Sequence, residues 1–401
     1  MTPGIPTDQP PRRRRPVKVL FVQPFSHGGG SENVLLRLAA GMDRNRVEPL
    51  VLLMADGPLS GQLAEAGVRR HVVELPGKLS VLRFPVAARR LAEWLKTEGV
   101  EAIHANGTKA AMLSVLLRET SGTPVLWMKH GHDFDRWAPR LLGPRCDRIA
   151  CVSKAVAATF PERLADRIFV CTPGVDLVSA APASLTDPVI VSVGRMDPLK
   201  GFDELIRATA LLRERGVPAQ LKLAGLSNVK SSDYASELQR LIDDLELGDS
   251  VALLGGVASP DVLYEEARVV ALASRNARRR QGSTRVEGTP LVLLEGMSFG
   301  RPVVAPDDGG IAEITGDAGT LVPEATAVHL AAALEPYLRD PKLAEDVGSR
   351  GRARVRERYT IPGMIETFTC EYESMARREE RAPVADSPRR TVPSAPTRES
   401  A

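Results

Sequence analysis

Short apolar, β-rich runs alternate with longer helical patterns along this chain, and the series starts afresh near its middle. In the first half the runs are VKVLFVQ (17–23), EPLVLLM (48–54), RHVVEL (70–75), AIHAN (102–106), VLWMKH (125–130), RIACVS (148–153) and IFVCT (168–172). In the second half they are VIVSVG (189–194), LKLAG (221–225), VALLG (251–255), VVALAS (269–274), PVVAP (302–306) and GTLVP (319–323). This alternation is the signature of parallel sheets built from strand–helix–strand units. Between the halves, SAAPASLTDP (179–188) carries two prolines and few large apolar residues, and reads as a linker. The expectation is an α/β chain of two doubly wound domains, residues 16–180 and 187–358. Ligands are expected at the carboxyl ends of the strands and in the cleft between the domains.

Composition sets the outer bounds. A chain of 401 residues, 43% hydrophobic, can bury a large core, and at this length one core usually divides into two. The 53 basic residues nearly balance 50 acidic ones, and aromatics make up only 4%, so no nucleic-acid partner is expected. The four cysteines follow no CxxC pattern and read as thiols in a reducing compartment. No uncharged apolar run approaches the roughly 20 residues that span a bilayer, and no apolar stretch follows MTPGIPTDQPPRRRRP, so a cytoplasmic protein is expected. Residues 1–15 and 380–401, rich in Pro, Ser, Thr and Arg, read as disordered tails, with Arg12 to Arg15 a solvated run.

The stretch EGTPLVLLEGMSFGRPVVAPDDGG (287–310) sets a carboxylate on each side of an apolar run and ends in glycines. Thr289 suits an N-cap and Pro290 the first helical position, which predicts a helix from there to Gly300. Glu287 then lies in the preceding loop and Glu295 about one and a half turns inside, up to roughly 10 Å apart along the axis. That distance matches the reach from a ribose to a sugar across a diphosphate. The diphosphate would lie near Gly288 and Thr289, where helix N–H groups favour phosphate. A solvated Glu287 and a surface Glu295 explain the pair alone equally well. The segment VSVGRMDPLKGFDELIRA (191–208) tips the balance. It predicts a strand, a glycine turn at Gly194 and a helix opening near Phe202 or Asp203. Arg195 and Lys200 flank the turn, placed to neutralise charge on a departing diphosphate.

Together these segments resemble the E-x7-E and GR-x4-KG regions of retaining nucleotide-sugar glycosyltransferases of family 4. FSHGGGSENVLLRLAAGM (25–42) is similar to that family's N-terminal GG-x-E loop and helix, and CDRIACVSKAVAATF (146–160) and PGVDL (173–177) resemble further family segments. The likeness runs over nearly all of residues 17–375, with the motifs in order. It implies the GT-B fold, two Rossmann-like domains facing each other across a cleft, with the acceptor mainly on the first and the donor on the second. A C-terminal helical segment, 359–379, is expected to pack back on the first domain.

Carried over position by position, the resemblance implies that Arg195 and Lys200 bind the donor diphosphate and that Glu295 takes the ribose hydroxyls. Glu287 contacts the transferred sugar, beside the backbone of Gly288, Thr289, Pro290 and Leu291. Gly29 and Gly30 let the first domain's loop approach the diphosphate, and Gly194 and Gly225 belong to the donor loops. His130 matches a histidine that contacts the sugar, and His132, two residues on, competes for that place. Three features depart from the family pattern. Pro173 stands where Asn is common, LAGLSN (223–228) lacks a second glycine after Gly225, and SRNARRRQGSTRVEG (274–288) is unusually basic, with Arg278, Arg279 and Arg280 read as a solvated loop.

The implied reaction is transfer of a hexosyl or N-acetylhexosaminyl group with retention, from a UDP-sugar, to an unidentified acceptor hydroxyl. It calls for no cofactor and no metal. Asp133-Phe134-Asp135 is the one strand-end D-x-D match, a pattern short enough to arise by chance. The alternatives are a non-catalytic sugar-nucleotide or membrane-surface binding protein, and a nicotinamide-dependent epimerase or reductase. Against the last, Gly28 to Asn33 breaks the G-x-G-x-x-G fingerprint. Finally, KLSVLRFPVAARRLAEWLKTEG (78–99) mixes apolar and basic residues as peripheral membrane contact would require. A covering helix of the first domain, opening at Pro85, is the simpler account.

Overall fold

A computed structural model describes residues 15–27, 29–75, 78–178, 187–225, 232–257, 259–275, 277–278, 284–285 and 287–381. Gly28, most of both tails, residues 179–186 of the expected linker, residues 226–228, Arg279, Arg280 and the Arg278 side chain lie outside the described residues.

The first half forms β1 (Val17–Gln23), β2 (Val47–Leu53), β3 (Arg69–Val72), β4 (Ala102–Asn106), β5 (Val125–Lys129), β6 (Arg148–Cys151) and β7 (Ile168–Val170). They make one seven-stranded sheet in the order β3-β2-β1-β4-β5-β6-β7, every pairing parallel. The second half forms β8 (Val189–Val193), β9 (Gln220–Ala224), β10 (Val251–Gly255), β11 (Val269–Ala271), a short hairpin of β12 (Ala277–Arg278) and β13 (Thr284–Arg285), then β14 (Val303–Pro306) and β15 (Gly319–Val322). Apart from the hairpin these strands give a six-stranded parallel sheet, β10-β9-β8-β11-β14-β15. In each sheet the order reverses beside its first strand, between β1 and β4 and between β8 and β11. A crevice opens at such a switch point beyond the carboxyl ends of the strands.

Burial explains why most of the runs were apolar throughout, the edge strand β3 being the exposed exception. Leu20, Phe21, Leu52, Ile103, Trp127 and Ile149 of the first sheet are fully covered, as are Ile190, Val270 and Val304 of the second. The helix Ile361–Arg381 adds Met364, Phe368, Tyr372 and Met375 to the first core. Its Tyr372 hydroxyl lies 2.6 Å from His104 Nδ1, and Arg46 and Arg148 bind its Glu373 and Glu371. The helix Phe84–Glu98 carries Pro85 in its first turn and buries Phe84, Ala87, Ala88, Leu91, Ala92 and Leu95, so its apolar stripe faces the domain interior.

Two local expectations fail. The helix after Glu287 spans Leu291–Ser298, with Pro290 rather than Thr289 at the N-cap and no side-chain cap. The Thr289 hydroxyl instead donates to the Val152 carbonyl of the first domain at 2.8 Å, a long-range bond that outcompetes local capping. The helix also stops before Gly300, whose φ of 71° terminates it, and Glu295 sits about one turn inside.

Candidate active site

The second domain builds its half of the site from two touching loops. A Cβ on Gly225, after β9, would lie 1.6 Å from the Gly194 carbonyl, after β8, so only glycine permits this approach. Beyond Gly194, the Asp197 carboxylate accepts from Leu199 N at 3.0 Å and fixes the turn Pro198–Lys200. That turn aims Lys200 Nζ at Glu287 Oε1, 2.5 Å away, where the Ser274 hydroxyl also donates at 2.7 Å. Burial pushes the Glu287 carboxyl up, but Lys200 and Ser274 outweigh it and hold the group below the usual carboxylate range. The Arg195 side chain is 55% exposed, its nearest carboxylate, Asp197, 4.0 Å off, and its guanidinium stands at the mouth of the cleft.

Glu295 faces elsewhere. Tyr264 OH donates to Oε2 at 2.9 Å, and Arg37, from the helix Gly30–Gly41 of the first domain, approaches Oε1 at 3.6 Å. Here burial prevails over Arg37 and Tyr264, and the carboxyl is raised.

The first domain contributes a hydrogen-bonded chain at the carboxyl ends of β1, β4 and β5. Asn106 donates to Gln23 Oε1 at 2.5 Å and to the Ser31 carbonyl at 3.0 Å, which leaves Asn106 Oδ1 to accept from His130 Nε2 at 2.6 Å. Burial lowers the His130 pKa to about 4, so the ring is neutral near pH 7, with its proton on Nε2. His132 is tied by Nδ1 to Asp135 at 2.8 Å, while its Nε2 is buried without a partner among the described residues. The buried Lys129 ammonium also holds Asp135, at 2.7 Å, so the second carboxylate of the D-x-D match is engaged inside its own loop. Among the described residues no group of three His, Cys, Asp or Glu side chains is placed to hold a metal ion.

The halves meet at backbone distance. A Cβ on Gly288 would lie 2.1 Å from the His130 carbonyl, and Glu313 accepts from the backbone of Lys154 and Ala155 at 3.0 and 3.1 Å. Between them lies a pocket of about 280 Å³ whose wall includes His130, His132, Arg195, Lys200, Glu287 and Asp308. The fold thus brings together Arg195, Lys200, Glu287, Gly288 and His130 from distant stretches. Thr289 is turned toward Val152, Leu291 opens the helix, and Gly30 looks across at Leu291, where a Cβ would be 3.7 Å away. At Gly29 a Cβ would meet only the flexible Glu32 carboxylate, at 2.7 Å. Arg37, Asn106, Tyr264 and Ser274 escape sequence reading, because each is a single polar residue whose partner lies far away along the chain.

Residues 28–179 match the family model described as Glycosyltransferase Family 4, and residues 179–354 match that of Glycosyl transferases group 1. The D-inositol 3-phosphate glycosyltransferase of Kineococcus radiotolerans is 34% identical over 400 residues, covering 84% of this chain and 88% of that protein. A GDP-mannose-dependent alpha-(1-6)-phosphatidylinositol monomannoside mannosyltransferase of Mycolicibacterium smegmatis is 29% identical over 313 residues, 72% of this chain and 80% of the relative. In fold, Anabaena Alr3699/HepE in complex with UDP superposes with a TM-score of 0.76 at 23% identity, over 89% of this chain and 100% of that one. On this evidence the chain belongs to family 4 of the glycosyltransferases and is built on the GT-B fold.

Proposed function

We propose that the chain moves a hexosyl or N-acetylhexosaminyl group from a nucleoside-diphosphate sugar to an acceptor hydroxyl, with retention at the anomeric carbon. The observation that carries this reading is the Lys200–Glu287 pair, 2.5 Å long, set beside exposed Arg195 in a pocket opposite His130. Lys200 has three N–H donors, so one can stay on Glu287 while others take a diphosphate oxygen. Arg195 supplies a second cation. Glu287, ionised and pinned, accepts hydrogen bonds from hydroxyls of the transferred sugar, and Glu295 from those of the ribose. Gly288 to Leu291 present backbone to the diphosphate, and Gly29, Gly30, Gly194 and Gly225 keep the surrounding loops close. The neutral His130 ring meets the sugar from the other domain, with His132 behind it.

In the proposed step the C1–O bond to the diphosphate breaks as the acceptor oxygen bonds C1 on the same face. The acceptor's proton passes to the departing phosphate oxygen. Arg195 and Lys200 stabilise the negative charge that develops there, a form of assistance that grows toward the transition state. Positive charge from these side chains meets the need that a metal serves elsewhere. Glu287 is given no nucleophilic role in this step; Lys200 and Ser274 both bind its Oε1, which leaves Oε2 to accept from the sugar hydroxyls.

Uridine was the expected base, yet the mycobacterial relative is named for GDP-mannose. Calorimetric titration with UDP, GDP and ADP decides between them, repeated on Glu295→Ala. One diphosphate is expected to bind selectively and to weaken about tenfold in the variant, as loss of a charged hydrogen bond implies. Binding of none of the three removes the reading. Both relatives are named for inositol-phosphate-containing acceptors, which supports a role in glycoconjugate or cell-envelope biosynthesis. No helix among the described residues is long and apolar enough to cross a membrane. Work at a membrane surface would therefore be peripheral, and sedimentation with anionic vesicles at low salt tests it.

A further inference from the structure

A second, larger pocket of about 940 Å³ opens in the first domain and shares His130 and Asp133 with the cleft pocket. Its wall is mainly apolar, formed by Phe25, Val81, Met112, Phe134 and Trp137. Three of these are aromatic side chains left open to solvent, Phe25 at 52%, Phe134 at 50% and Trp137 at 38%. Exposed aromatics gathered around one concavity signal a ligand surface more than a folding requirement. Backbone strain points the same way. Phe134 has a φ of 58°, in the left-handed region that a bulky residue avoids, and its ring packs 5.6 Å from that of Trp137. A half-exposed phenylalanine gains too little burial to explain that conformation, whereas a wall for a bound molecule does.

The polar groups of the pocket are few and largely engaged: the Lys109 ammonium lies 5.5 Å from the Phe25 ring, and the half-exposed Asp133 carboxylate lies 3.8 Å from Lys129. Asn106 binds Gln23, the Ser31 carbonyl and His130, and the Ser31 hydroxyl donates to Glu32 at 2.8 Å. Thr108 Oγ1 is buried without a partner among the described residues and offers a hydrogen-bonding point at the pocket's inner end. A body hydroxylated on every side would leave the groups that face Phe25, Phe134 and Trp137 without partners.

We infer that the acceptor is amphiphilic, with an apolar body, aliphatic or aromatic, that lies against Phe25, Phe134 and Trp137 while its polar end directs the reacting hydroxyl past His130 into the cleft. This rests on the transferase reading above, because the shared His130 edge is what places the reacting hydroxyl. Octyl, 2-naphthyl and methyl glucosides carry the same sugar on different bodies, and each is titrated calorimetrically below its micelle concentration. The wild type is compared with Phe134→Gly and with Trp137→Ala.

The octyl or naphthyl compound is expected to bind at least tenfold more tightly than the methyl one, and which of the two leads separates an acyl-like from a flat body. In each variant the advantage should shrink to under threefold while diphosphate affinity holds. Phe134→Gly, which relieves the left-handed strain, should leave Tm unchanged or raised, so its loss of binding is not a loss of fold. Equal affinity for all three glucosides, no binding of any, or an advantage that survives both substitutions overturns the inference. Failure of diphosphate binding is read in a separate titration and concerns the transferase reading instead.

Discussion

Glu287 and Glu295 stand at the two ends of one short segment, carry the same carboxyl group, and are displaced in opposite directions. Both side chains are largely covered, 25% and 20% exposed, which alone would favour the protonated form in each. The difference lies in their partners. Lys200 touches Glu287 at 2.5 Å and Ser274 adds a hydrogen bond, whereas Arg37 stands 3.6 Å from Glu295. Lys200 and Ser274 belong to the same domain as Glu287, so its charge is held by contacts within that domain. Glu295 takes one partner, Tyr264, from its own domain and the other, Arg37, from the opposite one. One end of the segment is preset within its domain, and the other is shared across the cleft.

The most damaging way to break this contrast is Lys200→Ala. It strips Glu287 of its cation and, on the proposed reading, the diphosphate of one of its two. We expect kcat to fall by about 10²–10³-fold, the effect of removing one oriented charge donor from a developing anion. Near-native turnover by a variant with an unchanged circular dichroism spectrum would show that Lys200 only anchors Glu287. Gly288→Ala attacks the meeting of the halves, since its Cβ would sit 2.1 Å from the His130 carbonyl. The domains must separate, and a displacement of that size misaligns groups on opposite walls. We expect up to about 100-fold loss of kcat, with a smaller loss of diphosphate affinity, since on the proposed reading Gly288 also presents backbone to the diphosphate. Equal losses in both measurements would mean that the added Cβ acts on donor binding alone and not on the alignment of the two walls.

The fold was legible because parallel strands covered on both faces must be apolar along their whole length. All thirteen runs read from the sequence are strands, from Val17–Gln23 to Gly319–Val322. Ends of elements were less legible. Thr289 has the chemistry of an N-cap, but the Val152 carbonyl, more than a hundred positions away in sequence, takes its hydroxyl. Three charged members of the cleft pocket, Arg195, Lys200 and Glu287, were visible as motifs at strand and helix ends. Their partners were not. Ser274, Tyr264 and Arg37 are ordinary residues until the fold sets them beside a carboxylate, and the apolar pocket next to His130 is assembled from separate loops and helix starts with no period or spacing to betray it.

The subtlest test of the contrast is pH. Glu287 is depressed, so it contributes stability above the ordinary carboxylate pKa and loses it as pH falls through its lowered value. Glu295 is raised, so its contribution is complete below the ordinary value and is lost as pH rises through its elevated one. Glu287→Gln should therefore cost stability near neutrality and converge on the wild type in acid. Glu295→Gln should gain on the wild type as pH rises from about 4 toward 7, across the range where a raised glutamate ionises. The differences are small, ~1 kcal/mol or about 2 °C in Tm, but their slopes against pH have opposite signs, which thermal unfolding of both variants across that range reads directly. Parallel slopes would mean that one environment governs both carboxylates. Opposite slopes would also predict that nucleoside affinity falls on mild acidification in the wild type but not in Glu295→Gln, because protonation removes from Glu295 an acceptor for the ribose hydroxyls while Glu287 is still charged.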